Sequence, residues 1–256
     1  MFLKIFQILN NEGLKGFYQR LRIRFLYIVK PKITKSAYGV KLYSNWGDAT
    51  FNLCLNGTYG YFFSDFLNNI TKPYYFIDIG SNQGIYTLIA SKNKNIKKIY
   101  SFEPVPSNFN LMKKNINLNN FNKVILRKVA ISSQNTSRYI SFNKSHTGIS
   151  SLESKTKRHD ELIKIKTVNH KYLNKLIKPG FRLIVKIDVE GHELVVVKQI
   201  TASSLIKNIV YIYIEINFKK NNFKKIAKTL KNFRFEEVYR SKKIKNHADF
   251  LFKKKD

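Results

Sequence analysis

Four residues in one short stretch, D-V-E-G-H-E, have the chemistry to take a proton: Asp188, Glu190, His192 and Glu193. The apolar run Leu183 to Ile187 precedes them, which puts Asp188 at the carboxyl end of a buried strand and Glu190 just beyond it. Gly191 permits a sharp turn into the following helix, and the imidazole of His192 titrates near neutrality. Asp188 and His192 are therefore candidate general bases, with Glu190 beside them. The competing reading is that Glu190 and Glu193 simply occupy a helix N-terminus, where acids are favourable. Lys186, near the end of the same strand, requires an acidic partner or a ligand carboxylate if buried. An oxygen set such as Asp188, Glu215 and Asn217 is too unspecific to imply a divalent metal, and none is expected.

The ligand beside that base is constrained by a second stretch, F-I-D-I-G-S-N-Q-G-I at 76–85. Tyr74 to Ile79 has the length and apolar content of a buried parallel strand, and an amphipathic helical pattern begins directly after Gly84. Asp78, Gly80 and Gly84 form D-x-G-x-x-x-G rather than the dinucleotide G-x-G-x-x-G. Such a turn presents backbone N–H groups and a helix N-terminus at the carboxyl edge of an open sheet. Ser81, Asn82 and Gln83 are polar but uncharged, and no Lys or Arg stands in the turn, which excludes a Walker-type phosphate loop. A nucleoside without phosphates fits, S-adenosylmethionine being the common one. Glu103 supports this: it ends a second strand, Ile99 to Phe102, 23 residues beyond Gly80, close to the offset of about 20 at which an acid reaches ribose hydroxyls. Alternatively Glu103 caps the helix beginning near Ser107, although Ser107 can supply that cap itself.

Three phrases, F-I-D-I-G-S-N-Q-G-I-Y-T at 76–87, S-F-E-P-V-P-S-N-F at 101–109 and K-I-D-V-E-G-H-E-L at 186–194, together resemble the FkbM-type methyltransferase family. Their order and spacing make the resemblance specific over roughly Asp48 to Glu215. It implies an α/β fold of the class I methyltransferase type: a Rossmann-like, doubly wound, mostly parallel sheet with an antiparallel C-terminal strand. It further implies S-adenosylmethionine-dependent O-methylation, commonly of hydroxyls on sugars or other secondary metabolites. Cofactor contacts are expected from Asp78, Gly80, Ser81, Asn82, Gly84, Glu103 and Pro104, and from Ala130 and Ile131 beside the adenine. Asp48 and Tyr59 fall on a segment that forms part of the site rim in the family, with ordinary packing as the competing reading. The T-G-I-S-S-L loop at 147–152 is similar to a serine loop that approaches the family's active site.

Around these stretches the periodicities predict helices over Tyr61 to Ile70, Ser107 to Asn119, His170 to Ile177, Leu194 to Ile200 and Asn222 to Asn232. Further strands are expected at Val124 to Leu126, Tyr139–Ile140, Ile163 to Val168 and Ile209 to Ile216, with a closing hairpin from Phe235 to Tyr239 and Phe250 to Phe252. Residues 36–56 read as short and mixed. Lys155 to Arg158 reads as a solvated charge run and the terminal K-K-K-D as a disordered tail. Residues 1–35 form an expected extension of two short amphipathic helices broken near Gly13, and 36–256 the catalytic domain.

A chain of 256 residues with 43% apolar content suits one such domain. The net charge is +31, from 47 basic and 16 acidic residues, which points first to nucleic acid or an anionic membrane. Codon bias explains much of the lysine but not the scarcity of acids. Of those acids, Asp78, Glu103, Asp188, Glu190, Glu193 and Glu215 fall at or just after expected strand ends. No apolar run is long enough to span a membrane, and the N-terminus lacks the pattern of a signal peptide. The single cysteine, Cys54, allows no internal disulfide, and a reducing cytoplasm is the simplest location. The Phe/Leu/Ile stripe accompanying Arg20, Arg22 and Arg24 either lies on the inner face of an anionic membrane or packs on its own domain.

The leading expectation is a cytoplasmic O-methyltransferase acting on a sugar hydroxyl of a surface glycan or its precursor. An RNA methyltransferase is the alternative favoured by charge, yet no RNA-binding module or arginine-rich stretch is present. A noncatalytic binding protein on the same fold is the third, and the intact cofactor phrases argue against it.

Overall fold

The computed structural model describes residues 18, 21–143, 145, 147–150, 152, 161–244 and 246–255. The first of the two helices expected on either side of Gly13, the start of the second and the charge run at 155–158 lie outside the described residues. Helix α1 (residues 21–29) leads into the antiparallel hairpin β1 (Ile33–Lys35) and β2 (Lys41–Tyr43), which straddles the boundary drawn at residue 36. Helices α2 (Ala49–Asn56) and α3 (Tyr61–Asn68) follow. Sequence patterning left α2 unassigned because it is short and its polar residues break the period. Its start is held instead by a cap, with Asp48 accepting from Thr50 N at 3.2 Å and Phe51 N at 3.3 Å.

The core elements then alternate: β3 (Tyr74–Ile79), α4 (Ile85–Lys92), β4 (Ile96–Phe102), α5 (Pro106–Leu118) and β5 (Val124–Arg127). Three strands interrupt the alternation, β6 (Ala130–Ile131), β7 (Thr136–Phe142) and β8 (Glu161–Val168), and form a separate sheet in the order β6-β8-β7. The chain continues as α6 (His170–Leu176), β9 (Arg182–Ile187), α7 (Glu193–Ala202), β10 (Ile209–Asn217), α8 (Phe223–Asn232), β11 (Phe235–Arg240) and β12 (His247–Lys254).

The main sheet runs β11-β12-β10-β9-β3-β4-β5. Strands β10, β9, β3, β4 and β5 are parallel, and β12 is antiparallel to both of its neighbours. The five parallel strands are near-continuous apolar runs because helices cover both faces. Val196, Val197 and Ile200 of α7 with Ile226 and Leu230 of α8 bury one face, and Phe51, Phe63, Leu88, Ile89 and Met112 from α2 to α5 bury the other. From β3 the chain proceeds to β4 and β5 on one side, while β9 and β10 lie on the other. The carboxyl ends of β3 and β9 therefore flank a topological switch point, where such sheets bind ligands.

Two expectations are corrected here. The terminal lysines are not a loose tail: Lys253 pairs with Tyr211 and Lys254 with Phe235 in the ladders. Alternation along β12 buries Phe250 and Phe252, and the ladder on both sides carries the lysines with them. Ser107 does not cap α5, whose cap position is Val105 with Pro106 opening the helix.

Candidate active site

At the switch point the sheet edge opens into a cleft of ≈ 610 Å³, part of it open to solvent. Its floor is the turn between β3 and α4. Gly80 adopts φ +78°, and a Cβ there would lie 1.8 Å from the carbonyl oxygen of Asp188, so only glycine lets the two strand ends approach this closely. Gly80, Asn82, Glu103, Pro104, Ala130, Ile131, Asp188, Glu190 and His192, all singled out from sequence, line the cleft. Asp78, Ser81 and Gly84 stand behind its wall. Ser81 donates to the Phe102 carbonyl at 3.1 Å, and Gly84 occupies the N-cap of α4.

Glu103 accepts from Asn82 N at 2.8 Å and Val105 N at 2.9 Å, one through each carboxylate oxygen. It thus ties the glycine turn to the start of α5 and retains lone pairs for a diol. Burial pushes its carboxyl up to about 7, against the two backbone donors that favour the ionised form. Apolar walls at Ile79, Phe102, Val129 and Ile131 suit a base, and no lysine or arginine lines the cleft among the described residues. The lining matches a nucleoside without phosphates. Glu103→Gln is expected to weaken S-adenosylmethionine binding about 10-fold or more, since charged hydrogen bonds contribute ~1.5–3 kcal/mol each. In the unsubstituted protein affinity should rise as pH passes upward through about 7, because the ionised carboxylate is the better acceptor of ribose hydroxyls. Calorimetry at several pH values checks both; unchanged affinity in a folded variant would remove Glu103 from the ribose.

Behind the cleft lies Lys186, only 2% exposed. Its ammonium donates to the Gly80 carbonyl at 2.8 Å and stands 3.3 Å from Asp188 Oδ2, 3.5 Å from Asp78 Oδ1 and 5.5 Å from the centre of the Tyr86 ring. Burial works to lower its pKa, but the carboxylates of Asp188, Asp78 and Glu215 override it and hold the ammonium above its ordinary value. Asp78, fully buried, accepts from the Thr87 hydroxyl at 2.7 Å through its other oxygen. Burial raises its pKa, partly offset by Lys186 and Thr87. The acidic partner that Lys186 requires is thus a pair, Asp78 opposite it on β3 and Asp188 two residues on, just past the end of β9.

Asp188 receives a second donor on the same oxygen, the Tyr59 hydroxyl at 3.1 Å. Burial, reinforced by Asp188 and Glu215, raises the Tyr59 pKa well above its usual value, so the phenol stays a neutral donor. Both contacts fall on Oδ2, and no hydrogen bond among the described residues engages Oδ1.

Glu193 closes the D-V-E-G-H-E turn. Its carboxylate accepts from Val189 N at 3.3 Å and from Gly191 N at 3.0 Å, filling the role of an acid at a helix start. Within that turn Glu190 adopts φ +53°, an uncommon conformation for a residue with a Cβ, and pairs with Lys220 at 3.1 Å. Burial and then Asp188 push its carboxyl up to about 7. His192 is buried, with Nε2 3.0 Å from the Ser132 hydroxyl on the β6 side of the cleft. Among the described residues no group of three or more His, Cys, Asp or Glu side chains is arranged to hold a metal.

Sequence reasoning named both halves of the clasp over this cleft, Asp48 and the 147–152 loop, but not the contact that joins them. Asp48, fully buried, accepts from Thr147 N and Thr147 Oγ1, both at 3.0 Å, and from the Gln83 amide. Gly148 N donates to Thr50 Oγ1 at 3.0 Å. The cap of α2 is therefore also the anchor of the 147–150 loop, whose Thr147, Gly148 and Ser150 line the cleft. The family resemblance had placed Asp48 on the site rim and the 147–152 loop near the active site; an aspartate two residues before a threonine was the further signal, an N-cap, that would have fixed the role of Asp48.

A family model for the methyltransferase FkbM domain matches residues 78–238. No curated protein matches the chain. Among solved structures, the ribosomal protein L11 methylase of Lactobacillus delbrueckii subsp. bulgaricus is similar at 13% identity and a TM-score of 0.46, over 75% of this chain and 77% of that one. A Streptococcus pneumoniae protein solved in complex with S-adenosyl-L-methionine is similar at 11% identity and 0.47, over 75% and 71%. A tRNA methyltransferase of Methanocaldococcus jannaschii is similar at 15% and 0.46, over 88% of this chain and 57% of that one. With the family match spanning the glycine turn, Glu103 and the D-V-E-G-H-E turn, the chain belongs to the FkbM methyltransferase family, and S-adenosylmethionine is its cofactor.

Proposed function

We propose that this methyltransferase acts on oxygen, at a hydroxyl of a sugar in a surface glycan or its precursor. One observation carries the reading: Asp188 at the cleft wall has Oδ2 held by Lys186 and Tyr59, with Oδ1 left for a substrate. The cofactor supplies an electrophilic methyl group for in-line displacement. The protein must then align one hydroxyl and remove its proton. Asp188 Oδ1 takes that proton, while Lys186 balances the carboxylate charge in the resting site. Glu103 and the glycine turn fix the nucleoside end, and the Asp48-anchored loop limits water.

Incubation with methyl-labelled S-adenosylmethionine and separated glycan, lipid-linked sugar and RNA fractions tests this. Label in an alkali-stable ether on sugar supports it, and label confined to RNA overturns it.

Contact with an anionic membrane completes the proposal. Leu26 of α1 packs on the core and Tyr27 on Trp46 at 5.4 Å, but Phe25 is 62% and Ile28 81% exposed, with the exposed Arg24 between them and the packed face. No described helix is long and apolar enough to cross a membrane. An apolar strip flanked by arginines suits the headgroup boundary. Phe25→Glu/Ile28→Glu should cut sedimentation with phosphatidylserine vesicles severalfold and leave the melting temperature unchanged. Equal partitioning of both proteins at low salt would remove the membrane from the reading.

A further inference from the structure

A second cavity, of ≈ 610 Å³ and open to solvent, lies on the same carboxyl edge of the sheet, over β10 and β12. Tyr59 lines it, and the hydroxyl of that residue donates to Asp188 on the cofactor side. The Tyr59–Asp188 contact thus lies between the two cavities, with the phenol that is bonded to Asp188 on the wall of the second. Tyr86 and Tyr213 continue the wall, with ring centres 5.6 Å from Tyr59 to Tyr86 and 6.2 Å from Tyr86 to Tyr213. Aromatic faces and phenols in a cavity of this size suit the apolar faces and hydroxyls of a sugar ring.

The charges give the class of sugar. Glu215 and Asp249 line the cavity, and Asp188 is the first cause of the raised pKa of Glu215, about 8, ahead of burial. Asp249 is raised by burial, offset by a hydrogen bond from Tyr213. Among the described residues the cations facing these acids are His247, with Nδ1 3.6 Å from Glu215, Lys242, exposed at the rim, and the buried Lys186, whose ammonium Glu215 helps to hold. In a chain with only 16 acidic residues and a net charge of +31, two of those acids line this one cavity. Carboxylates crowded against one another are relieved by an ammonium and repel a phosphate.

We infer that the cavity walled by Tyr59, Tyr86, Tyr213, Glu215 and Asp249 is the acceptor subsite and takes a sugar carrying a free amine; this rests on the reading of the protein as a hydroxyl methyltransferase. Delivered there, the sugar turns a hydroxyl toward Asp188 while its ammonium lies between Glu215 and Asp249.

The full chain saturated with S-adenosylhomocysteine is titrated with glucosamine, glucose and glucose 6-phosphate by ligand-observed NMR. Glucosamine should bind about 10-fold more tightly than glucose, and glucose 6-phosphate more weakly than either. Glu215→Gln and Asp249→Asn should each remove most of the glucosamine preference, with S-adenosylhomocysteine affinity unchanged. Should either variant melt early, Tyr213→Phe, which alters the Asp249 hydrogen bond, is expected to weaken glucosamine severalfold. Equal binding of glucosamine and glucose, tighter binding of the phosphate, no sugar binding, or indifference to all three substitutions overturns the assignment. Labelled transfer separates the two readings: methyl ethers on neutral sugars alone would retain the function and overturn the subsite. Glucosamine binding with label confined to RNA would overturn the function and, with it, the assignment of the cavity to the acceptor.

Discussion

Lys186→Met should destabilise the protein by ~3–5 kcal/mol at neutral pH, the loss expected when one partner of a buried ionic network is removed. For a chain of this size that corresponds to roughly 6–20 °C in melting temperature. Three groups lose their partner at once: Asp78 in the fully buried layer, Asp188 at the cleft and the Gly80 carbonyl. The pH dependence gives a sharper check. Burial already holds the Asp78 pKa above its unfolded value, and without the ammonium it rises further. A carboxyl raised on folding contributes stability that is present below its unfolded pKa and lost as pH rises toward the folded one. The deficit of the variant should therefore be smallest near pH 4 and grow toward neutrality. Thermal melts across that range decide the matter; a variant as stable as the parent at neutral pH would show that the Asp78–Lys186–Asp188 network does not hold the fold.

Asp188→Asn carries the largest expected effect on chemistry. The asparagine preserves the shape and the Tyr59 contact but accepts a proton poorly, so turnover should fall by about 10²–10⁴. Cofactor affinity should stay within severalfold, since Glu103 and the glycine turn are untouched. His192→Ala is the companion measurement: bonded to Ser132 and buried, the imidazole is placed to shape the cleft rather than reach the acceptor, and its loss should reduce turnover far less. Loss of cofactor binding in Asp188→Asn would move that residue into the cofactor shell. A larger turnover loss in His192→Ala than in Asp188→Asn would transfer the base to the histidine.

The strand, glycine turn and helix at 74–92 were legible because their determinants are consecutive. A buried strand needs an unbroken apolar run, and the turn needs glycine where φ is positive, at Gly80 and Gly84. Glu103 was legible for the same reason, since a strand-end acid one βα unit further on must return to the same edge. The closing antiparallel strand showed as an aromatic alternation, but its length did not. Whether Lys253 and Lys254 stay in a ladder depends on partners at Tyr211 and Phe235, which are remote in sequence.

Sequence alone thus determined the strand, glycine turn and helix at the sheet edge of this protein: local backbone requirements and hydrophobic period specify that unit wherever the rest of the chain lies. Tertiary structure decided the rest. Asp48 reaches Thr147 across 99 positions, Tyr59 reaches Asp188 across 129, and Lys186 reaches Gly80 across 106. None of these pairs has a spacing that a periodicity can reveal. Each arises because the order of strands brings unrelated segments to one edge, where buried charges and donors must find partners or leave the fold at a cost.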